Sequence, residues 1–297
     1  MRTTTMLRQL LDRGSGPLVL PGAPNALTAR VVEEAGFEAV YVSGAGVANT
    51  QLALPDLGLL TLPELAGQVA AMSDATTLPL VVDADTGFGN AMNVGRTVRM
   101  LERAGAAAIQ IEDQASPKKC GHFSGKEIVS TGEMTGKIRA AVDARVDDDL
   151  VVVARTDALA VKGIGAACER AAAFAEAGAD VLFVEAPTTR EEMARIVREV
   201  PGRHVANMVE GGLTPVLSRE ELDDLGYSVA LYANTAMRGA VLGMRTVLEH
   251  LARHGDTRDA AGLMISWEER QSLVRKPHFD VLDKLYAPDD GTEEAAS

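Results

Sequence analysis

Cysteine is scarce in this chain: Cys120 and Cys168 are the two it has. They are too few for a disulfide framework, and neither a CxxC pair nor a His/Cys zinc spacing occurs. No apolar run reaches about 18 residues, the length that would read as a bilayer-spanning helix. The opening residues MRTTTMLRQLLDRG have the pattern of a short amphipathic helix and lack the apolar centre of a signal peptide, so a cytoplasmic location is expected. A Lys/Arg-rich block is also missing. With 29 basic against 42 acidic residues the formal charge is −13, which disfavours nucleic acid and anionic membrane as partners. A small anionic substrate would have to meet a local cation. Two further absences narrow the chemistry. The stretch PGAPNALT is not the Gly-rich loop of a dinucleotide-binding sheet. The lysines, at positions 118, 119, 126, 137, 162, 276 and 284, all fall outside the apolar runs, which excludes a Schiff-base aldolase with its lysine inside a barrel.

What the chain does have is a period. Hydrophobic residues make up 46% and charged residues 24% of 297, enough for a substantial core. Eight apolar runs recur: LVLPGA (18–23), AVYVSG (39–44), LPLVVDAD (78–85), AAIQIED (107–113), LVVVARTD (150–157), VLFVEA (181–186), HVANMV (204–209) and VALYAN (229–234). Ala/Leu/Arg/Glu-rich helical stretches separate them. Three of these end alike, as Ala35-Gly36-Phe37, Ala104-Gly105-Ala106 and Ala177-Gly178-Ala179, where the glycine takes a left-handed helix cap and a strand follows. Eight strand–helix units with continuously apolar strands predict an α/β fold, a parallel (β/α)8 TIM-type barrel. A doubly wound sheet is the competing architecture. One domain is expected over 1–286, with helices continuing beyond Arg238, and a polar, disordered tail over 287–297.

In such a barrel the strand C-termini form the active face. Here they bear Ser43, Asp83, Asp85, Glu112, Asp113, Arg155, Asp157, Glu185, Asn207, Glu210 and Asn234. A single strand-end acid such as Asp157 can serve only as a helix cap; polar ends on nearly every strand point to a common mouth. Asp83 and Asp85 are two apart, so along a strand they face the same way. Close carboxylates repel unless a cation sits between them. Oxygen ligands with room for water suit Mg2+ or Mn2+, and Glu112, on the neighbouring strand, is placed to complete the set through water. The alternative is a pair satisfied by backbone amides and an arginine. Cys120 lies in SPKKCGHFSGKE beside Lys118, Lys119 and His122, whose charges would lower its pKa. Cys168, inside a helical stretch, reads as packing.

These residues resemble the isocitrate lyase and phosphoenolpyruvate mutase superfamily over roughly 5–285. The motifs are SGAGVA…LPDLG (43–58), VDADTGFGN (82–90), IEDQ…KKCGH (111–122), ARTDA (154–158), VEA (184–186) and NMVEGGLTP (207–215). The resemblance implies a homotetramer whose C-terminal helices are exchanged between subunits. It implies Mg2+ at Asp85, with Asp56, Asp83 and Glu112 acting directly or through water. Ser43, Gly44, Ala45 and Arg155 would grip the pyruvate- or glyoxylate-like half of a 2-oxo or 2-hydroxy acid. Gly121, His122, Asn207 and Arg238 would reach the other half, beside Glu185. Cys120 would act as general acid, Tyr41 is a candidate base, and Lys118 and His122 would offset the charge of the leaving fragment. The expected activity is carbon–carbon cleavage of 2-methylisocitrate or a substituted malate to a 2-oxo acid. The alternatives are a carboxyphosphonoenolpyruvate-type mutase, an oxaloacetate hydrolase or decarboxylase, and a non-catalytic dicarboxylate-binding barrel.

Overall fold

The computed structural model describes residues 1–119, 121 and 125–288. The chain divides into two compact units, Met1–Gly239 and Ala240–Ser297. The first is a closed parallel barrel of eight strands in sequence order: β1 (Leu18–Ala23), β2 (Val40–Val42), β3 (Leu80–Asp83), β4 (Ala106–Glu112), β5 (Val151–Thr156), β6 (Val181–Val184), β7 (Arg203–Asn207) and β8 (Val229–Tyr232). Helices α1 (Thr3–Asp12), α2 (Ala26–Glu34), α3 (Gly44–Val47), α4 (Leu62–Ala75), α5 (Ala91–Arg103), α6 (Thr131–Ala144), α7 (Ala158–Glu176), α8 (Arg190–Glu199) and α9 (Arg219–Leu225) belong to the same unit.

The strands are buried on both faces, which is why they read as unbroken apolar runs. Residues facing inward (Leu20, Val81, Ala108, Val153, Phe183 and Leu231) pack as one cluster with Leu7 of α1. Residues facing outward (Val40, Val82, Ile109, Val152 and Leu182) pack as another, with Leu65, Val98, Ile138 and Phe174 of the surrounding helices. Each such Leu or Phe contributes about 2 kcal/mol by leaving water. Gly36, Gly105 and Gly178 close α2, α5 and α7 with φ of 83°, 104° and 107°, as their sequence context requires. Among the described residues no helix is long and apolar enough to cross a membrane.

Barrel closure depends on Gly22 of β1. A Cβ added there would lie on the Ala233 backbone just beyond β8, 2.5 Å from its carbonyl carbon and 2.9 Å from its Cα. Backbone cannot rotate aside as a side chain can. Gly22→Ala is therefore expected to cost on the order of 3 kcal/mol, measured as a lowered midpoint in urea unfolding; an unchanged midpoint would show that the β1–β8 seam can yield.

The strands stop earlier than the apolar runs suggest. β2 ends at Val42, and Ser43 becomes the N-cap of α3, its Oγ accepting from Gly46 N at 3.1 Å. β3 ends at Asp83 rather than Asp85. Strand alternation is therefore not what brings Asp83 and Asp85 together: Asp85 has left-handed backbone, with φ 49°. The tail at 289–297 lies outside the described residues. The second unit contains the greater part of α10 (Thr235–His254), then α11 (Trp267–Leu273) and α12 (Lys276–Tyr286). None of these three helices buries a residue, and Leu242, Leu248, Trp267 and Phe279 are among their exposed side chains.

Candidate active site

Strand register assembles the first half of the site. In parallel pairing Asp83 lies beside Gln110, and Glu112 beside Arg155. Within β4, Gln110 and Glu112 share the inward face. Gln110 donates to Asp83 Oδ1 at 3.2 Å and accepts from the Tyr41 hydroxyl at 3.0 Å. Asp85 N donates to the same Asp83 oxygen at 3.2 Å. Gly44 lies over this pair, with its missing Cβ position 3.3 Å from Asp85 Oδ1 and 3.4 Å from Asp83 Oδ2. The left-handed turn at Asp85 costs about 1 kcal/mol for a residue with a side chain and is held through its carbonyls. Asp85 O accepts from Glu112 N at 2.8 Å, Thr86 O from Lys137 Nζ at 3.1 Å, and Gly87 O from Thr97 Oγ1 at 3.0 Å.

A cation of the chain itself faces these acids. Lys118 Nζ is hydrogen-bonded to Asp56 and lies 2.8 Å from Asp85 Oδ1. That second contact is a close ion pair between buried groups. Burial pushes the Asp85 carboxyl up to about 6, against the pull of Lys118 and with the help of Asp83. Burial also raises Glu112 well above the ordinary carboxylate range, opposed by Arg155 and assisted by Asp157. Burial and the Asp83 charge hold Tyr41 well above an ordinary phenol, and its hydroxyl donates to Gln110.

The second half is built on Arg155. Its Nε lies 3.0 Å from Asp157 Oδ2 and 3.3 Å from Glu112 Oε2, its Nη2 3.1 Å from Asp157 Oδ1, and its Nη1 3.4 Å from Glu185 Oε2. Asn207 Nδ2 extends the row, 3.4 Å from Glu185 Oε1 and Oε2. Asp157 occupies the N-cap position of α7 without capping it. Its carboxylate is committed to Arg155 and to Lys126 Nζ, at 2.7 Å, which hold it below the usual range despite burial. Asp113 faces the helices instead, accepting from Thr156 Oγ1 at 2.6 Å, Asp157 N at 2.9 Å and Arg170 Nε at 2.8 Å.

Gly121 reaches this arginine through its backbone. A Cβ there would collide with Arg155 Nη2 and lie 2.7 Å from Glu185 Cγ. Lys126 Nζ donates to the Gly121 carbonyl as well as to Asp157. Ser43 Oγ meets Asn234 Oδ1 at 3.3 Å, and Ala45 is half-buried beside it. Arg238 is not brought to the Arg155 group; it is exposed and donates to Glu210 O at 3.0 Å and Glu210 Oε2 at 3.1 Å. Cys120 and His122 lie outside the described residues.

Sequence reasoning passed over Gln110 and Lys126. Gln110 had a signal, as the one polar residue within AAIQI, two positions before Glu112 and so on its face. Lys126 had none, because nothing local shows that its ammonium crosses to Asp157.

The acidic group fits a hard divalent cation. Asp85 Oδ1 and Glu112 Oε1 are buried oxygens without a hydrogen-bond donor among the described residues, and all candidate donors are carboxylates. Among the described residues no three acidic, His or Cys side chains converge tightly enough to hold an ion by themselves.

Similarity to known proteins runs along nearly the whole chain. Residues 7–252 match the family described as phosphoenolpyruvate phosphomutase. Within that family's lyase and mutase branches, this chain is a carbon–carbon lyase. The chain belongs to the phosphoenolpyruvate mutase/isocitrate lyase superfamily. It is 47% identical to 2,3-dimethylmalate lyase of Eubacterium barkeri over 97% of this chain and 99% of the relative. It is 44% identical to 2-methylisocitrate lyase of Aeropyrum pernix over 95% and 90%. A crystal structure of 2,3-dimethylmalate lyase superposes with a TM-score of 0.91 at 35% identity, covering 98% of both chains.

Proposed function

We propose that this lyase is Mg2+-dependent and splits the C2–C3 bond of a 2-methyl-2-hydroxy di- or tricarboxylate, a substituted malate or 2-methylisocitrate, to release pyruvate. The carrying observation is the buried Arg155, held among Glu112, Asp157 and Glu185 beside the Asp83/Asp85 pair. Its fork is suited to one carboxylate of a planar 2-oxo acid, and the backbone of Ser43, Gly44 and Ala45, with Gly44 over the Asp83/Asp85 pair, is assigned to the same end of that substrate.

A bound Mg2+, held at Asp85 with Asp83, Asp56 and Glu112 directly or through water, would polarise the oxygens of the 2-hydroxy acid. The chain's own residues do the remainder. Arg155 fixes the carboxylate so that the breaking bond has one orientation. Cleavage turns the 2-hydroxyl into the carbonyl of pyruvate, its proton passing to a base for which Tyr41 is the candidate, and leaves an electron pair on the α-carbon of the departing acid; that carbon takes its proton from Cys120 as general acid. Asn207, Glu185 and the Gly121 backbone line the side where the departing fragment lies, with His122, Lys118 and Arg238 assigned to its carboxylates. The reading carries a homotetramer with exchanged C-terminal helices. The exposed Leu242, Met244 and Leu248 of α10 support this as an apolar face for a second copy.

A substrate panel under one coupled 2-oxo-acid assay tests the function: 2-methylisocitrate, isocitrate, 2,3-dimethylmalate, citramalate and oxaloacetate, each with and without Mg2+. Metal-dependent pyruvate release is expected from 2,3-dimethylmalate or 2-methylisocitrate, at a kcat/KM at least tenfold above the rest. Failure of all five acids, with oxalate still binding, would return the barrel to a binding role; conversion of a phosphonate substrate would make it a mutase.

A further inference from the structure

The ammonium of Lys118 occupies an unusual place for a lysine. Its side chain is 6% exposed and joins Asp56 to Asp85, whose side chains are 15% and 10% exposed. Glu112 and Asp83 also act on it electrostatically. One buried monovalent cation thus faces all four acids that the proposed metal would use. Asp85 Oδ1 lies 2.8 Å from this ammonium, so the pairing supplies one positive charge to a group of four acids. A buried carboxylate compensated in this way is open to a better cation.

We propose that Lys118 is the resident counter-ion of the acidic rim, and that a divalent cation binds there by exchanging with its ammonium. The inference rests on the reading of this rim as a Mg2+ site. A Mg2+ ion about 2.1 Å from Asp85 Oδ1 and an ammonium 2.8 Å from the same oxygen would be two cations in near contact. Repulsion between them among side chains this buried is steep. Asp56 and Asp85 therefore release Lys118 when the metal arrives. The cost of parting that ion pair is subtracted from metal affinity, so Lys118 sets how much metal the protein needs. Without the lysine, the acids repel one another in the metal-free chain and gain more from a divalent ion.

Mn2+ binding, followed by the loss of free-ion EPR signal, tests this in the full chain without reference to turnover. Lys118→Met is expected to bind Mn2+ at least tenfold more tightly than wild type, and Lys118→Arg to stay near wild type. In the wild-type protein, acylation of Lys118 by an amine-reactive ester, read by mass spectrometry, is expected to rise when Mn2+ is added. Equal or weaker Mn2+ binding by folded Lys118→Met would overturn the exchange while leaving the metal site in place. Absence of Mn2+ binding in both wild type and variant would overturn the metal reading itself, and the exchange with it. Should Lys118→Met be unfolded in metal-free buffer, the exchange requires that Mn2+ restore its circular dichroism; a variant that stays unfolded with Mn2+ counts against it.

Discussion

Asp85→Ala is expected to lower kcat/KM on the preferred acid by about 10^3-fold or more, and the residual activity is expected not to respond to added Mg2+. The magnitude is that of losing a Lewis acid worth several kcal/mol, at 1.36 kcal/mol per decade. The same change should not weaken the fold. The Asp85 carboxyl is raised to about 6 by burial and by Asp83, even with Lys118 beside it. A group whose folded pKa lies above its unfolded value favours folding at low pH, and that contribution is lost as pH rises through the folded value. Between about pH 4 and 6 the native state therefore gives up stability to keep this carboxylate. At neutral pH its removal relieves a penalty on the order of 2 kcal/mol, while Lys118 retains Asp56 as partner. Kinetics and urea unfolding on one preparation separate the effects: activity falls and the midpoint holds or rises. A variant that lost activity through a lowered midpoint would make Asp85 a structural residue. One that kept its Mg2+ response would place the metal elsewhere.

That opposition explains what was legible in the sequence. The barrel was legible because a strand buried on both faces is apolar at every position, and eight such runs leave little choice of architecture. Asp83, Glu112, Arg155 and Glu185 were legible because a charged residue at the end of such a run has no packing role. Strand ends were less so. Asp85 departs into left-handed backbone, and its meeting with Asp83 comes from a turn pinned by Lys137, Thr97 and Glu112 N, none of which is near it in the sequence. The lysines were the least legible. Lys118 and Lys126 sit in a segment rich in Gly, Pro and Ser that would suit solvent equally well, yet each ends in a buried carboxylate on another strand or loop. A long, flexible side chain conceals its destination. Asp157 shows the converse: its position at the start of α7 reads as a cap, but two cations offer it stronger hydrogen bonds than a helix N–H.

Arg155 carries the largest expected loss in the second half of the site. Its guanidinium is buried against three carboxylates, at 3.0 Å (Asp157), 3.3 Å (Glu112) and 3.4 Å (Glu185), and lies 5.2 Å from the centre of the Phe183 ring. Those carboxylates hold it charged despite burial, and Asp157 also has Lys126. Arg155→Met would leave Glu112 and Glu185 without this cation in a buried site, where removing one partner of a buried pair costs about 3–5 kcal/mol. Much of that is recovered if Glu112, whose carboxyl already sits well above the usual range, takes up a proton. Two consequences are expected together: a fall in kcat/KM of about 10^3-fold or more, from losing the carboxylate grip, and a lower unfolding midpoint at neutral pH that recovers as pH falls and the acids protonate. Arg155→Lys keeps the charge but has no fork to span Asp157, Glu112 and Glu185, so its activity is expected near that of the methionine variant while its stability lies closer to wild type. Arg155→Ala with millimolar guanidinium added should regain part of the lost rate. If Arg155→Lys retained more than a tenth of wild-type kcat/KM, a simple positive charge would suffice there, and planar two-point recognition of a carboxylate would no longer describe this rim.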